Sequence, residues 1–141
     1  MKKVLFFFGA LALLGLNWHC ERINNQPDNA QLYLGDTLEL EYGQSITLLP
    51  DNIEIRFDSV VSESRCPVSV DCIWAGTAEV KLRLKQGQVE ETIVLSTYTE
   101  PHSAVVFGKT VTLIDVSPYP QDPLVVIPQE DYRVQVVVED Q

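Results

Sequence analysis

Cys66 and Cys72 are the residues in this chain whose type and spacing best suit chemistry. They lie in Ser64-Arg65-Cys66-Pro67-Val68-Ser69-Val70-Asp71-Cys72-Ile73-Trp74-Ala75-Gly76, with five residues between them. A redox pair would use the tighter C-x-x-C spacing at a helix N-terminus, where the thiolate is stabilised. Here the spacing is wider and strand-like sequence follows. Zinc would need two further ligands, and of the two histidines His19 lies in the expected signal segment, which leaves His102 alone. The expectation is a disulfide, the default for such a pair in an exported chain. By loop entropy so small a ring contributes about 2 kcal/mol, so its role is local: it holds Pro67 to Asp71 in one shape.

Around the cysteines each residue has a packing use. Pro67 stiffens the ring, Gly76 permits a bulge or close approach, Trp74 caps one end of a core, and Arg65 pairs with Glu63 or Asp71. The functional alternative makes Arg65 and Trp74 a ligand-facing pair on a loop held by a rigid scaffold. They are the candidate binding residues.

Other catalytic signatures are weak. Glu100, His102 and Ser103 are close in sequence, but neighbours along one loop rarely form a nucleophile–base–orienter set. No Gly-rich phosphate loop, H-E-x-x-H or EF-hand spacing occurs. Asp51, Glu54, Asp58, Glu63 and Asp71 lack the arrangement of a glycosidase pair or calcium loop and read as solvated surface. The chain is therefore read as non-enzymatic, with no cofactor and no metal.

The elements that must position the cysteine loop are strands. Leu38, Leu40 and Tyr42 alternate with Thr37, Glu39 and Glu41, and Ser45 to Leu49 form a second short strand. Ile53, Ile55 and Phe57 alternate with Glu54, Arg56 and Asp58, and Val60 and Val61 carry that strand to the loop. Ala78, Val80, Leu82 and Leu84 alternate with Glu79, Lys81, Arg83 and Lys85. Gln86-Gly87 then turns the chain into Val89–Leu95, giving a hairpin over 78–95. Ala104–Phe107, Val111–Val116, a brief Leu124–Ile127 and a last strand through Tyr132, Val134, Val136 and Val138 follow. Pro118, Pro120 and Pro123 make a rigid connector that no central strand would accept. The expected fold is all-β: an antiparallel sandwich of about seven to eight strands, with no helix apart from an N-terminal signal segment.

That segment is residues 1–19. Lys2 and Lys3 precede an apolar run, Val4 to Leu16, which suits a signal peptide and is short for a bilayer span of roughly 20 residues. Cys20 follows. A cysteine there resembles the acylated residue of a bacterial lipoprotein, although Asn17, Trp18 and His19 depart from the usual aliphatic and small residues. Cysteine parity agrees, because pairing Cys66 with Cys72 leaves Cys20 over. Residues 20–31, polar and aperiodic, read as a flexible tether to a domain over 32–141. The 141-residue chain carries a net charge of −10; loss of residues 1–19 leaves 8 basic and 20 acidic residues, net −12. Such a surface disfavours nucleic acid and anionic membrane surfaces.

The run Ser64-Arg65-Cys66-Pro67, then Val70, Cys72, Trp74 and Gly76, resembles the motif of a family of small uncharacterised bacterial exported proteins and lipoproteins. Its pattern is S-R-C-P, a short spacer, then C-x-W-x-G leading into an amphipathic strand. Gly43 to Leu48, Pro118-Tyr119-Pro120 and Asp131-Tyr132 extend the similarity over most of residues 36–138; Glu63 stands where the family often has aspartate. The resemblance implies location and architecture, and no activity.

The combined expectation is an exported, envelope-anchored binding or structural module, lipid-linked through Cys20 on a periplasmic or surface face. Its partner would be an envelope protein or an exported ligand, and nucleic acid is not expected. The alternative is a secreted inhibitor or a carbohydrate-binding module presenting the 66–72 loop, the latter using Trp74, Tyr98 or Tyr119.

Overall fold

The computed structural model describes residues 34–141. The expected signal segment, Cys20 and the tether over 20–31 lie outside the described residues. Period-two sequence becomes eight strands: β1 (Thr37–Glu41), β2 (Ser45–Leu48), β3 (Ile53–Glu63), β4 (Ala78–Gln86), β5 (Val89–Ser96), β6 (Ser103–Val106), β7 (Lys109–Ser117) and β8 (Arg133–Asp140). They form two four-stranded sheets in the orders β1-β8-β7-β6 and β2-β3-β4-β5, with every pairing antiparallel. The apolar positions of each alternating run face one shared core, as in a β-sandwich. Leu38 and Leu40 from β1 and Val134, Val136 and Val138 from β8 oppose Ile53, Ile55 and Phe57 from β3 and Val80, Leu82 and Leu84 from β4. One 3₁₀ turn, Gln129–Asp131, is the helical element among the described residues.

The sandwich has two distinct ends. β8 runs from Arg133, beside Glu41 and Ser117, to Asp140, beside Lys109. Its eight residues separate the ends by about 25 Å. At the Arg133 end lie the cysteine loop, the 97–102 loop and the 118–132 connector. The other end holds the tight turns at Gly87 and Gly108, and Leu34, which precedes the Gly35 N–H bond to the Val138 carbonyl. The described chain therefore starts at the end opposite the cysteine loop.

Two bulges in β3 decide what reaches that loop. Pairing with β4 skips between Phe57 and Ser59 and again between Val60 and Ser62. Each skip adds one residue and reverses the alternation. The first turns Val60 inward. The second restores the phase of Ile53, Ile55 and Phe57, leaving Val61 at the bulge facing solvent and Glu63 opposite the fully buried Ala78. A carboxylate thus ends β3 on the core-facing side.

The structure corrects the sequence reading at two elements. Leu124–Ile127 is not a strand, because Pro123 and Pro128 flank it without N–H donors. Leu124 and Val126 are 90% and 88% exposed. Tyr42, expected to continue the buried face of β1, is half exposed and meets Phe57 edge-on, with ring centroids 6.2 Å apart.

Candidate functional site at the cysteine-loop end

Cys66 and Cys72 are joined by a disulfide, with their Cα atoms 5.9 Å apart. Backbone pairing continues past the ends of β3 and β4 into the loop: Ser64 N–H donates to Thr77 O and Cys66 N–H to Ala75 O, both at 2.8 Å. Gly76 makes this possible. It has φ +68°, and a Cβ there would lie 1.8 Å from the Ser64 carbonyl oxygen. The ring in turn rests on the proline connector through Val68 N–H to Pro120 O and Ser69 N–H to Gln121 O, both at 3.1 Å. Disulfide, ladder and connector fix the loop from three sides.

Arg65 and Trp74, the candidate binding pair, face opposite ways. Arg65 is 7% exposed and its guanidinium is spent inside the fold. Nε donates to Glu63 Oε1 at 2.9 Å, Nη2 donates to Glu63 Oε2 and, at 3.0 Å, to Pro118 O, and Nη1 donates to Val116 O. Its carbon Cζ lies 4.9 Å from the centroid of the Tyr119 ring, a cation–π contact. Of the two carboxylates offered by the sequence, Arg65 selects Glu63, which keeps the phase of Ile53, Ile55 and Phe57 opposite Ala78. Tyr132, itself 2% exposed, completes the cluster by donating its hydroxyl to Glu63 Oε2 at 3.2 Å. Burial, and then the Glu63 charge, push the Tyr132 phenol up to about 12.

Trp74 is 80% exposed and Ile73 96%, so the core-capping role expected of Trp74 does not hold. The reason is the ladder: Cys66 pairs with Ala75 and the disulfide draws Cys72 towards Cys66, leaving Ile73 and Trp74 to turn outside the sandwich. Leu124 and Val126 on the adjoining connector are equally bare. The end of the sandwich thus presents large apolar side chains on backbone that is tied down.

Two hollows flank the Arg65 cluster. One, of about 370 Å³, lies between the end of β3, Pro67 and the connector, with Glu63, Arg65, Asp122 and Tyr132 in its lining. The other, of about 220 Å³, is lined by Tyr98, Tyr119, Asp115 and the Ala75-Gly76 backbone.

The remaining polar candidates are dispersed. His102 Nδ1 donates to Ser96 O at 2.7 Å, and its Nε2 lies 3.7 Å from Glu100. Asp58 binds Arg83 at 2.6 Å and Arg56 at 3.3 Å, which raises the Arg83 pKa, chiefly through its hydrogen bond to Asp58. Asp51 and Asp140 both hold Lys109, at 2.6 and 2.5 Å. Among the described residues no three His, Cys, Asp or Glu side chains converge as a metal site.

The site and fold define a small disulfide-stapled β-sandwich with an apolar loop end. No family model, curated protein or solved structure matches the chain.

Proposed function

We propose that the chain is a non-enzymatic binding module of the bacterial cell envelope whose contact surface is the cysteine-loop end. The observation that carries this is the exposure of Ile73 and Trp74 on a disulfide-pinned loop beside bare Leu124 and Val126. A soluble fold hides such side chains unless something else covers them, and rigid aromatic anchors are what protein partners bury most profitably. Export by residues 1–19 and lipid attachment at Cys20 belong to the same reading. Its support is the sequence: Lys2 and Lys3 ahead of the apolar Val4–Leu16 run, and Cys20 left over by the Cys66–Cys72 pair.

The test is capture of partners from solubilised envelopes with the intact chain and with Ile73→Ser/Trp74→Ser. The variant is expected to fold normally and lose the partner. A folded variant that keeps every partner overturns the reading. Mass spectrometry of the membrane-extracted protein checks the anchor, and a Cys20 without acyl chains removes that part.

One observation favours a second reading, carbohydrate binding. Tyr98 and Tyr119 line the same hollow, with the Asp115 carboxylate beside them, and Trp74 is exposed just before Ala75. Aromatic faces stack on the C–H faces of sugars while a carboxylate accepts from hydroxyls. Tyr98→Ala would then abolish retention on a glycan column, while Ile73→Ser would not.

A further inference from the structure

We propose that the larger hollow, beside the disulfide ring, receives a lysine or arginine side chain of the partner protein. This deepens the binding-module reading and rests on it. The hollow is about 370 Å³, with walls that include Val61, Val126, Ile127, Pro67 and Pro123. It lies near the lower end of the range for ligand pockets, about 300–1,000 Å³. Such walls fit a hydrocarbon stem.

Its charged groups decide what the stem should carry. Arg65 and Glu63 neutralise one another, and the guanidinium already serves Glu63, Val116 O and Pro118 O. Arg65 therefore offers no charge to an incoming anion. Tyr132 is a neutral phenol whose proton is engaged by Glu63. Asp122 differs. Its Oδ1 accepts from Leu124 N–H at 2.8 Å, and among the described residues no cation lies within ion-pair distance. The hollow thus has a net charge of one carboxylate, in a chain of net charge −10. An anionic ligand is repelled, and an aliphatic stem ending in a cation matches both the walls and Asp122. Lysine and arginine have that shape, with a stem that lies along apolar surface and a charged head. Exposed Leu124 and Val126 at the edge would help exclude water from the pair once a partner docks.

The probe is n-butylguanidinium, titrated into isotopically labelled intact chain and followed by methyl NMR. The neutral control of similar shape is n-butylurea. Saturable shifts at Val61, Val126 and Ile127 are expected, with n-butylurea about fivefold weaker, the scale of one partly exposed ion pair. Asp122→Asn should bring n-butylguanidinium down to the n-butylurea level. Added NaCl should weaken the cation in the wild type and leave the urea unchanged. No saturable shift, equal binding of the two probes, or insensitivity to both Asp122→Asn and salt overturns the inference. Ile73→Ser/Trp74→Ser should still bind n-butylguanidinium. Partner loss in that variant combined with no probe binding would refute the basic-anchor inference and spare the binding-module reading.

Discussion

The Tyr132 hydroxyl donates to Glu63 Oε2 at 3.2 Å, across 69 residues of chain and between the two sheets. Glu63 ends β3 in one sheet, and Tyr132 enters β8 in the other. Arg65 reaches over the same gap, from beyond β3 to the Val116 and Pro118 carbonyls at the end of β7. The opposite end of the sandwich repeats the device with different residues. Lys109 opens β7 and joins Asp51, in the β2–β3 turn, to Asp140 of β8. A buried cation paired with carboxylate therefore closes each end of the core, Arg65 crossing to the other sheet through the Val116 and Pro118 carbonyls and Lys109 through Asp51. The cysteine-loop end adds Ile73, Trp74, Leu124 and Val126, each 80% exposed or more, to that closure.

Removing Arg65 should be severe. Arg65→Ala leaves Glu63 facing inward without a cation, and two backbone carbonyls without their donor. Breaking one side of a buried pair costs about 3–5 kcal/mol; the Glu63 side chain is 23% exposed, which places the expected loss near 3 kcal/mol. Arg65→Lys should fall between the two, because one ammonium cannot reproduce the planar fork that serves Glu63, Val116 O and Pro118 O together. Urea denaturation reads both. A loss below about 1 kcal/mol for Arg65→Ala would show that the cluster does not hold this end together.

Tyr132 makes a prediction about alkaline pH. Its phenol titrates near 12 in the folded chain and near 10 when unfolded. Below pH 10 both states hold the proton and the contribution is complete. Between about 10 and 12 the unfolded state releases the proton first, so stability falls by about 2–3 kcal/mol as pH rises through the folded value. Tyr132→Phe cannot lose that proton. At pH 8 it should be less stable than wild type by about 1.5–3 kcal/mol, for the lost bond to a charged acceptor. That deficit should shrink steadily up to pH 12. A constant difference across the range would contradict the linkage.

The sheet is legible in the sequence because its signal is local. Alternation along β3, β4 and β8 follows from which side chains must leave water, and Gly87 marks its own turn. The site is less legible, for two reasons. The two β3 bulges shift the alternation without any Gly or Pro to mark them, so nothing in Ile53–Glu63 shows that Val60 turns inward while Val61 turns out. Trp74, taken alone, suits a core cap, and only the Cys66–Ala75 pairing reveals that the chain has already left the sandwich there. The Lys109 closure was equally hidden, since it joins residues from both halves of the chain.

Gly76 and Gly87 separate two costs that a glycine can hide. Both have positive φ, +68° and +61°. A Cβ at Gly87 meets nothing within 4 Å, whereas one at Gly76 falls 1.8 Å from Ser64 O. Gly87→Ala should cost about 1 kcal/mol of backbone strain. Gly76→Ala must also push apart the backbone pairs of Ser64 with Thr77 and Cys66 with Ala75, and should cost about 3 kcal/mol or more. Equal losses in thermal or urea unfolding would remove the close-approach argument.

The disulfide can be tested apart from the fold it decorates. Cys66→Ala/Cys72→Ala should lower stability by about 2 kcal/mol, the loop-entropy value for a ring this small. The domain should remain folded, because Arg65, the Ser64–Thr77 pairing and the Cys66–Ala75 pairing lie at the stem of the loop and do not need the bond. What changes is the ring beyond that stem. The Val68 and Ser69 amides, held by Pro120 O and Gln121 O, should exchange with solvent much faster once the ring is open, while the Ser64 and Cys66 amides stay protected. Hydrogen exchange reads all four. If Ser64 and Cys66 lose protection together with Val68 and Ser69, the disulfide holds the end of the sandwich as well as the shape of its loop.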